Sequence, residues 1–215
     1  MSGILGAIRS HNGIVIVSGV EEDGPDGTAC IEINNNSVAV VFRGKTAVKD
    51  FLEKYIIPKK PNAVLDAVTL IDSELKLHFD EYKEHDFSFF VAGIENGRSG
   101  YFSFWSENGQ LNTIEVKQTS HFINTIEDLA VYIITKVFSE QMTVEELKNL
   151  MIFVSLQCIK VFGYDSFFNI TIINNEGIKK MSEGEIKDSL SIQDKKDHKL
   201  KKIFSDFFIK EDMSK

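Results

Sequence analysis

The sequence predicts an α+β domain in which two antiparallel β-sheets lie between layers of helix, a four-layer α/β/β/α sandwich. Three observations carry this. The β-rich runs come in pairs around hairpin signals, the helical periodicities come in two separate pairs, and the two kinds of segment alternate in blocks along the chain. Such segregation requires helices on the outer faces of packed sheets, because each amphipathic face has to be buried. At 215 residues one sizeable core is possible, with roughly 70% of the unfolded surface buried on folding.

Residues 4–8 and 14–17 are β-rich runs separated by Arg9-Ser-His-Asn-Gly13, whose Asn-Gly pair is a hairpin signal. Residues 21–27, with Gly24, Pro25 and Gly27, read as an exposed loop. A second strand pair, 30–33 and 37–42, flanks three asparagines, and Arg43-Gly-Lys45 leads into a helix over 46–57. That helix sets Val48, Leu52, Tyr55 and Ile56 on one face, and Pro58 and Pro61 end it. The next helix is expected over 62–85, with Leu65, Val68, Leu75 and Phe79 inward.

Three further strands, 87–93, 100–105 and 111–116, are punctuated by Asn-Gly turns at 96–97 and 108–109. Leu129, Ile133 and Val137 then recur at helical spacing. The helix after it opens on Thr143 with Glu146 three residues later, a capping-box pattern, and carries Leu147, Leu150, Val154, Cys158 and Val161 inward. A strand at 169–173, a turn at 174–177, a strand at 178–181 and a polar helical tail complete the chain. The expected division is one domain over 1–185 and the tail over 186–215.

Composition excludes several classes. With 43% hydrophobic and 26% charged residues the chain is neither disordered nor collagen-like. The longest apolar runs, such as 87–94, fall far short of the ~20 residues that cross a bilayer. The opening residues lack the pattern of a secretory signal, so the expected location is cytoplasmic or nuclear. A net charge of −8 repels phosphate backbones and anionic lipid, so neither nucleic acid nor membrane is an expected partner. Residues 195–202 are locally basic, which reads as a solvated helix face. Cys30 and Cys158 give no disulfide framework or metal spacing, and His11, His78, His85, His121 and His198 show no ligand spacing. No cofactor or metal is expected.

Three stretches resemble the proteasome β-type subunits, a family with the N-terminal nucleophile hydrolase fold. They are Phe138-Ser-Glu-Gln-Met-Thr-Val-Glu-Glu146, Asn169-Ile-Thr-Ile-Ile-Asn-Asn-Glu-Gly-Ile-Lys-Lys-Met181, and Phe90-Val-Ala-Gly-Ile94 with Tyr101-Phe-Ser-Phe104 and Asn108-Gly109. With the opening hairpin the resemblance covers residues 2–185. The α-type subunits carry an extra helix ahead of that hairpin, which is not expected here, so the resemblance points to the β type.

The resemblance implies catalysis by an N-terminal Thr that attacks the peptide carbonyl while its own amine acts as base. Ser2, exposed by removal of Met1, is the matching nucleophile. Gly44 matches the glycine whose amide faces the developing oxyanion, Thr125 stands in the family's Gly-Ser-Gly, and Asp165 matches the Asp of its Asp-x-x-Ser-Gly loop. The other supports are missing. The family's carboxylate after the second strand falls at Gly19 and its lysine at Cys30, and no Lys or Arg occurs anywhere from 14 to 42. Asp23, Asp26 and Lys45 offer a different set of charged groups. The resemblance therefore implies an inactive, divergent subunit that joins homologous or identical subunits in a ring of a protein-degradation complex. The alternatives are an N-terminal Ser hydrolase using Ser2, and a free-standing interaction protein.

Overall fold

The structure, a computed structural model, describes residues 5–20, 26–33, 38–82, 87–95, 98–107, 110–115, 120–123, 127–162 and 167–212. Within them the chain is α+β, with two five-stranded antiparallel sheets and five α-helices. The first sheet has the order β10-β9-β2-β1-β8 and the second the order β3-β4-β5-β6-β7.

β1 (Leu5–Ser10) and β2 (Gly13–Val20) form the opening hairpin, with Ser10 opposite Gly13. The turn residues are His11 and Asn12, not the expected Asn-Gly pair, and neither has a positive φ. Gly13 is needed for a different reason. A Cβ there would lie 2.5 Å from the carbonyl oxygen of Ile173 and 2.9 Å from a methyl of Val144, so only glycine lets the two backbones approach this closely.

β3 (Asp26–Ile33) and β4 (Val38–Lys45) form the second pair. The helix expected over 46–57 is not uniform. α1 (Thr46–Phe51) passes into a π-helical turn, Leu52–Ile56, and then a 3₁₀ turn, Ile57–Lys59. Together these bury Phe51, Leu52 and Ile56. Pro58 sits near the start of the 3₁₀ turn, where its missing N–H costs little. Lys60 closes it at φ 46°, and Pro61 follows.

α2 (Val64–Tyr82) presents Val64, Ala67, Val68, Ile71 and Leu75 to the second sheet. Leu65, expected inward, is 60% exposed. β5 (Phe87–Glu95), β6 (Arg98–Glu107) and β7 (Gln110–Glu115) continue that sheet. Phe89 and Phe104 stack across it at 4.8 Å, a contact worth about 0.5–1.5 kcal/mol beyond burial.

β8 (Ser120–Ile123) was not expected from the sequence; it returns to the first sheet and pairs with β1. α3 (Glu127–Val137) buries Ala130 and Ile134, packs Leu129 and Ile133 at the margin of the same core, and leaves Val137 half exposed. α4 (Val144–Phe162) buries Leu147, Leu150, Val154 and Cys158 as expected. Its capping box is complete. The Thr143 amide donates to Glu146 Oε2 at 2.8 Å, and the Glu146 amide donates to Thr143 Oγ1 at 3.2 Å.

β9 (Phe167–Asn174) and β10 (Gly177–Lys180) form the last hairpin, in which Gly177 takes a φ of 119° that other residues rarely adopt. α5 (Glu183–Asp212) opens on a second capping box, Ser182 with Glu185.

Three apolar clusters join these elements. One packs α3, α4 and the start of α5 on the first sheet through Ile8, Val15, Val17, Ile170 and Ile172. Another packs α2 and the π turn on the second sheet. The third lies between the sheets, where Ala7, Ile14, Ile16 and Ile173 meet Ala39, Val41, Phe90 and Ala92.

Candidate functional site

Strand register decides which chain segments leave the first sheet together. β1 begins at Leu5, opposite both Ser18 of β2 and Ile123 of β8. β2 ends at Val20, opposite Phe167, where β9 begins. The start of β1, the ends of β2 and β8 and the start of β9 therefore share one end of the sheet. Ser2, Thr125 and Asp165 lie outside the described residues, yet in sequence each is within three residues of one of these strand ends. Gly44 is described: it is in β4, opposite Gly27 of β3. Only residues 21–25 separate the end of β2 from the start of β3, so the two strand ends are held within a few residues' reach.

The interior changes character toward this end. Alternation along a strand puts residues i and i+2 on one face, so Ser18 follows Ile14 and Ile16 into the layer between the sheets. By the same rule Thr171 follows Ile173, and Ser88 follows Ala92 and Phe90. All three hydroxyl residues are buried. Ser103, opposite Phe90, is fully buried and its Oγ has no hydrogen-bond partner. Gly19 falls on the other face, with Val15 and Val17, toward the helices. Neither Ser18 nor Gly19 carries a carboxylate. Hydroxyls of this kind can orient a water or a substrate group, but they hold no charge at neutral pH.

The opposite end of the first sheet is rigidly built. His11 Nδ1 donates to the Glu140 carbonyl at 2.6 Å, and Asn12 Nδ2 donates to the Met142 carbonyl at 3.1 Å. The segment 138–146 thus ties the first hairpin to the start of α4, which gives it a structural role. Beside it is a cleft of about 420 Å³ between the start of α4, the β9–β10 turn and the start of α5. Val144, Ile172, Ile178 and Met181 form its apolar lining, and Glu145, Lys148, Glu176, Lys179 and Glu185 its charged part.

Four of the cleft's five charged groups form two ion pairs. Lys148 Nζ lies 2.5 Å from Glu145 and Lys179 Nζ 2.8 Å from Glu185. The Lys179 ammonium, aided by the Ser182 amide and hydroxyl, holds the Glu185 carboxyl down to about 2, and the same pair raises Lys179. Glu146 is lowered by the Thr143 amide and hydroxyl. This cleft was missed from the sequence, although Ser182-Glu-Gly-Glu185 is a legible capping box. Burial pushes the Cys158 thiol up to about 11, which leaves it an unreactive core residue. Among the described residues no cluster of three His, Cys, Asp or Glu is placed to hold a metal, and no helix is long and apolar enough to cross a membrane.

No protein-family model and no curated protein sequence matches the chain. Solved structures do. Anbu (ancestral beta-subunit) from Yersinia bercovieri superposes with a TM-score of 0.68 at 14% identity, covering 94% of this chain and 96% of that one. Anbu from Hyphomicrobium sp. strain MC1 gives 0.66 at 13% identity, over 94% and 97%. A Gly-1 mutant of Anbu from the same strain gives 0.65 at 12%, over 95% and 97%.

These neighbours correct the resemblance to proteasome β-type subunits, because Anbu is a proteasome-like but distinct family. The matching stretches were turns, caps and paired strands, features that follow the fold and not the branch. The chain carries, over nearly its whole length, the fold seen in the Anbu structures.

Proposed function

We propose that this chain is a self-assembling subunit of Anbu-like architecture, a four-layer α/β/β/α sandwich with one domain over 1–185 and a helical extension, that does not catalyse peptide hydrolysis. Copies of it would join in a ring-shaped assembly. The architecture is supported by the three apolar clusters, which alternate helix–sheet, sheet–sheet and sheet–helix.

The loss of catalysis rests on one observation above others. At the end of the first sheet formed by the strand ends that lie next to Ser2, Thr125 and Asp165 in sequence, β2 supplies Ser18 and Gly19 and no acid, and no Lys or Arg stands between 14 and 42. An N-terminal amine needs a nearby positive charge to lower its pKa into the range of a working base. Arg43 and Lys45 flank Gly44 in β4, so the charge that is lost is the lysine the resemblance places at Cys30.

The test is the intact mass of the chain before and after exposure to an epoxyketone, which bonds both hydroxyl and amine of a free N-terminal Ser or Thr. No adduct is expected. One adduct on Ser2 would establish the second reading, an N-terminal Ser hydrolase, which the convergence of strand ends beside Ser2, Thr125 and Asp165 supports.

A further inference from the structure

We propose that α5 is a strap with an electrostatic latch: residues 183–190 root it in the core, and the ammonium of Lys160, in the last turn of α4, holds the next stretch, residues 191–199, against the body. Screening or removing that one charge frees 191–199 while the root stays docked.

α5 runs beside α4 in the same direction. The first turns of both helices line one cleft, and near the end of α4 Lys160 Nζ reaches Asp194 at 2.7 Å and Asp197 at 2.8 Å. The side of α5 that meets α4 changes character on the way. Ile186 is buried, and Leu190 packs against the same core. One turn further the half-buried residues are Gln193, Asp194 and Asp197, while Ile192, the one aliphatic residue of 191–199, is 54% exposed. The root is therefore held by apolar burial and the next stretch by charge.

Two carboxylates are a poor fit to this place by themselves. Asp194 and Asp197 are three residues apart, so they share a helix face and repel each other. They also lie within a lysine's length of the last turn of α4, whose carbonyls carry partial negative charge. Lys160 reverses the sign of both effects. Its ammonium donates to both carboxylates; Asp194, and then Asp197, raise it above its ordinary value, and it in turn holds Asp194 down. His198 Nε2 also lies 3.6 Å from Asp194, but it stands on α5 and moves with it.

The latch is open to solvent, with the Lys160 and Asp194 side chains 31% and 42% exposed, so dissolved salt reaches it. Once unlatched, a polar stretch of helix has little stability of its own and its backbone amides open.

Hydrogen–deuterium exchange on the full chain tests this by reading the two parts of α5 separately. The wild type at low salt is expected to protect both. At about 1 M sodium chloride, where the Debye length falls to about 3 Å, exchange over 191–199 is expected to rise several-fold and exchange over 183–190 to stay as it was. Lys160→Met keeps the aliphatic stem and should give the same rise without added salt, whereas Lys160→Arg keeps the charge and should not. In a background of Asp194→Asn with Asp197→Asn, adding Lys160→Met should change exchange by less than about twofold, because the repulsion it uncovers is gone.

Exchange over 191–199 that ignores both salt and Lys160→Met overturns the latch. So does a rise of equal size over 183–190, which would make α5 a single unit, or a full effect of Lys160→Met in the double-Asn background.

Discussion

Replacing Gly13 by Ala tests the packing logic of the first sheet. The added methyl would meet the Ile173 carbonyl oxygen at 2.5 Å and a Val144 methyl at 2.9 Å. The oxygen belongs to a backbone held in register with β2, where Ile14 pairs with Ile173, so it cannot step aside as a flexible side chain would. Overpacking of this kind costs about 1–3 kcal/mol, and a backbone obstacle puts Gly13→Ala toward the upper part.

For a chain of this length each kcal/mol lowers the midpoint by about 2–4 °C, so a fall of roughly 5–10 °C is expected. Gly184→Ala is the internal control. Nothing lies within 4 Å of a Cβ there, and Ala is favoured over Gly in a helix by up to about 1 kcal/mol, so this variant should melt at or above the wild type. Calorimetry on both proteins reads the difference. If Gly13→Ala melts within 1 °C of wild type, the close approach of β2 to β9 and α4 is not what holds glycine there.

Other substitutions isolate single interactions. Thr143→Ala removes the hydroxyl that caps α4 and should cost about 1 kcal/mol, read as a lower urea midpoint at unchanged slope. Ser155→Ala deletes a buried Oγ without a hydrogen-bond partner. It should leave stability unchanged or raise it by about 1 kcal/mol, and a clear loss would reveal a partner for that hydroxyl. Glu185, held down to about 2 from its ordinary 4.5 by Lys179 and Ser182, contributes stability that is fully present above pH 4.5. That contribution is lost as pH falls toward 2. Glu185→Gln should flatten the urea midpoint over that window, and equal acid sensitivity in both proteins would refute the assignment.

Much of the fold was legible because local chemistry and tertiary demand coincide. α4 shows this best: its capping box and its apolar repeat agree, and both were found in place. The spacing of Leu129, Ile133 and Val137 marks α3 as a helix, but a spacing of four precesses by about 40° per step on a 3.6-residue helix, so Leu129 and Ile133 reach the core and Val137 turns away from it. Leu65 was misjudged because Val64 beside it is equally apolar, and only the packing against the second sheet chooses between them. β8 is four residues with a serine and a histidine; its strand conformation comes from pairing with β1, which no local signal announces.

The candidate site was legible as chemistry but not as geometry. The sequence shows that no Lys or Arg stands between 14 and 42, whereas the meeting of the start of β1, the ends of β2 and β8 and the start of β9 at one end of the sheet depends on register between distant strands. The cleft is assembled from α4, the β9–β10 turn and α5, segments whose adjacency appears only in the fold.

The most direct measurement is a native mass spectrum of the purified chain after incubation with an epoxyketone. An integral multiple of the chain mass with no mass added is expected. A monomer, or one adduct per chain on Ser2, would contradict it.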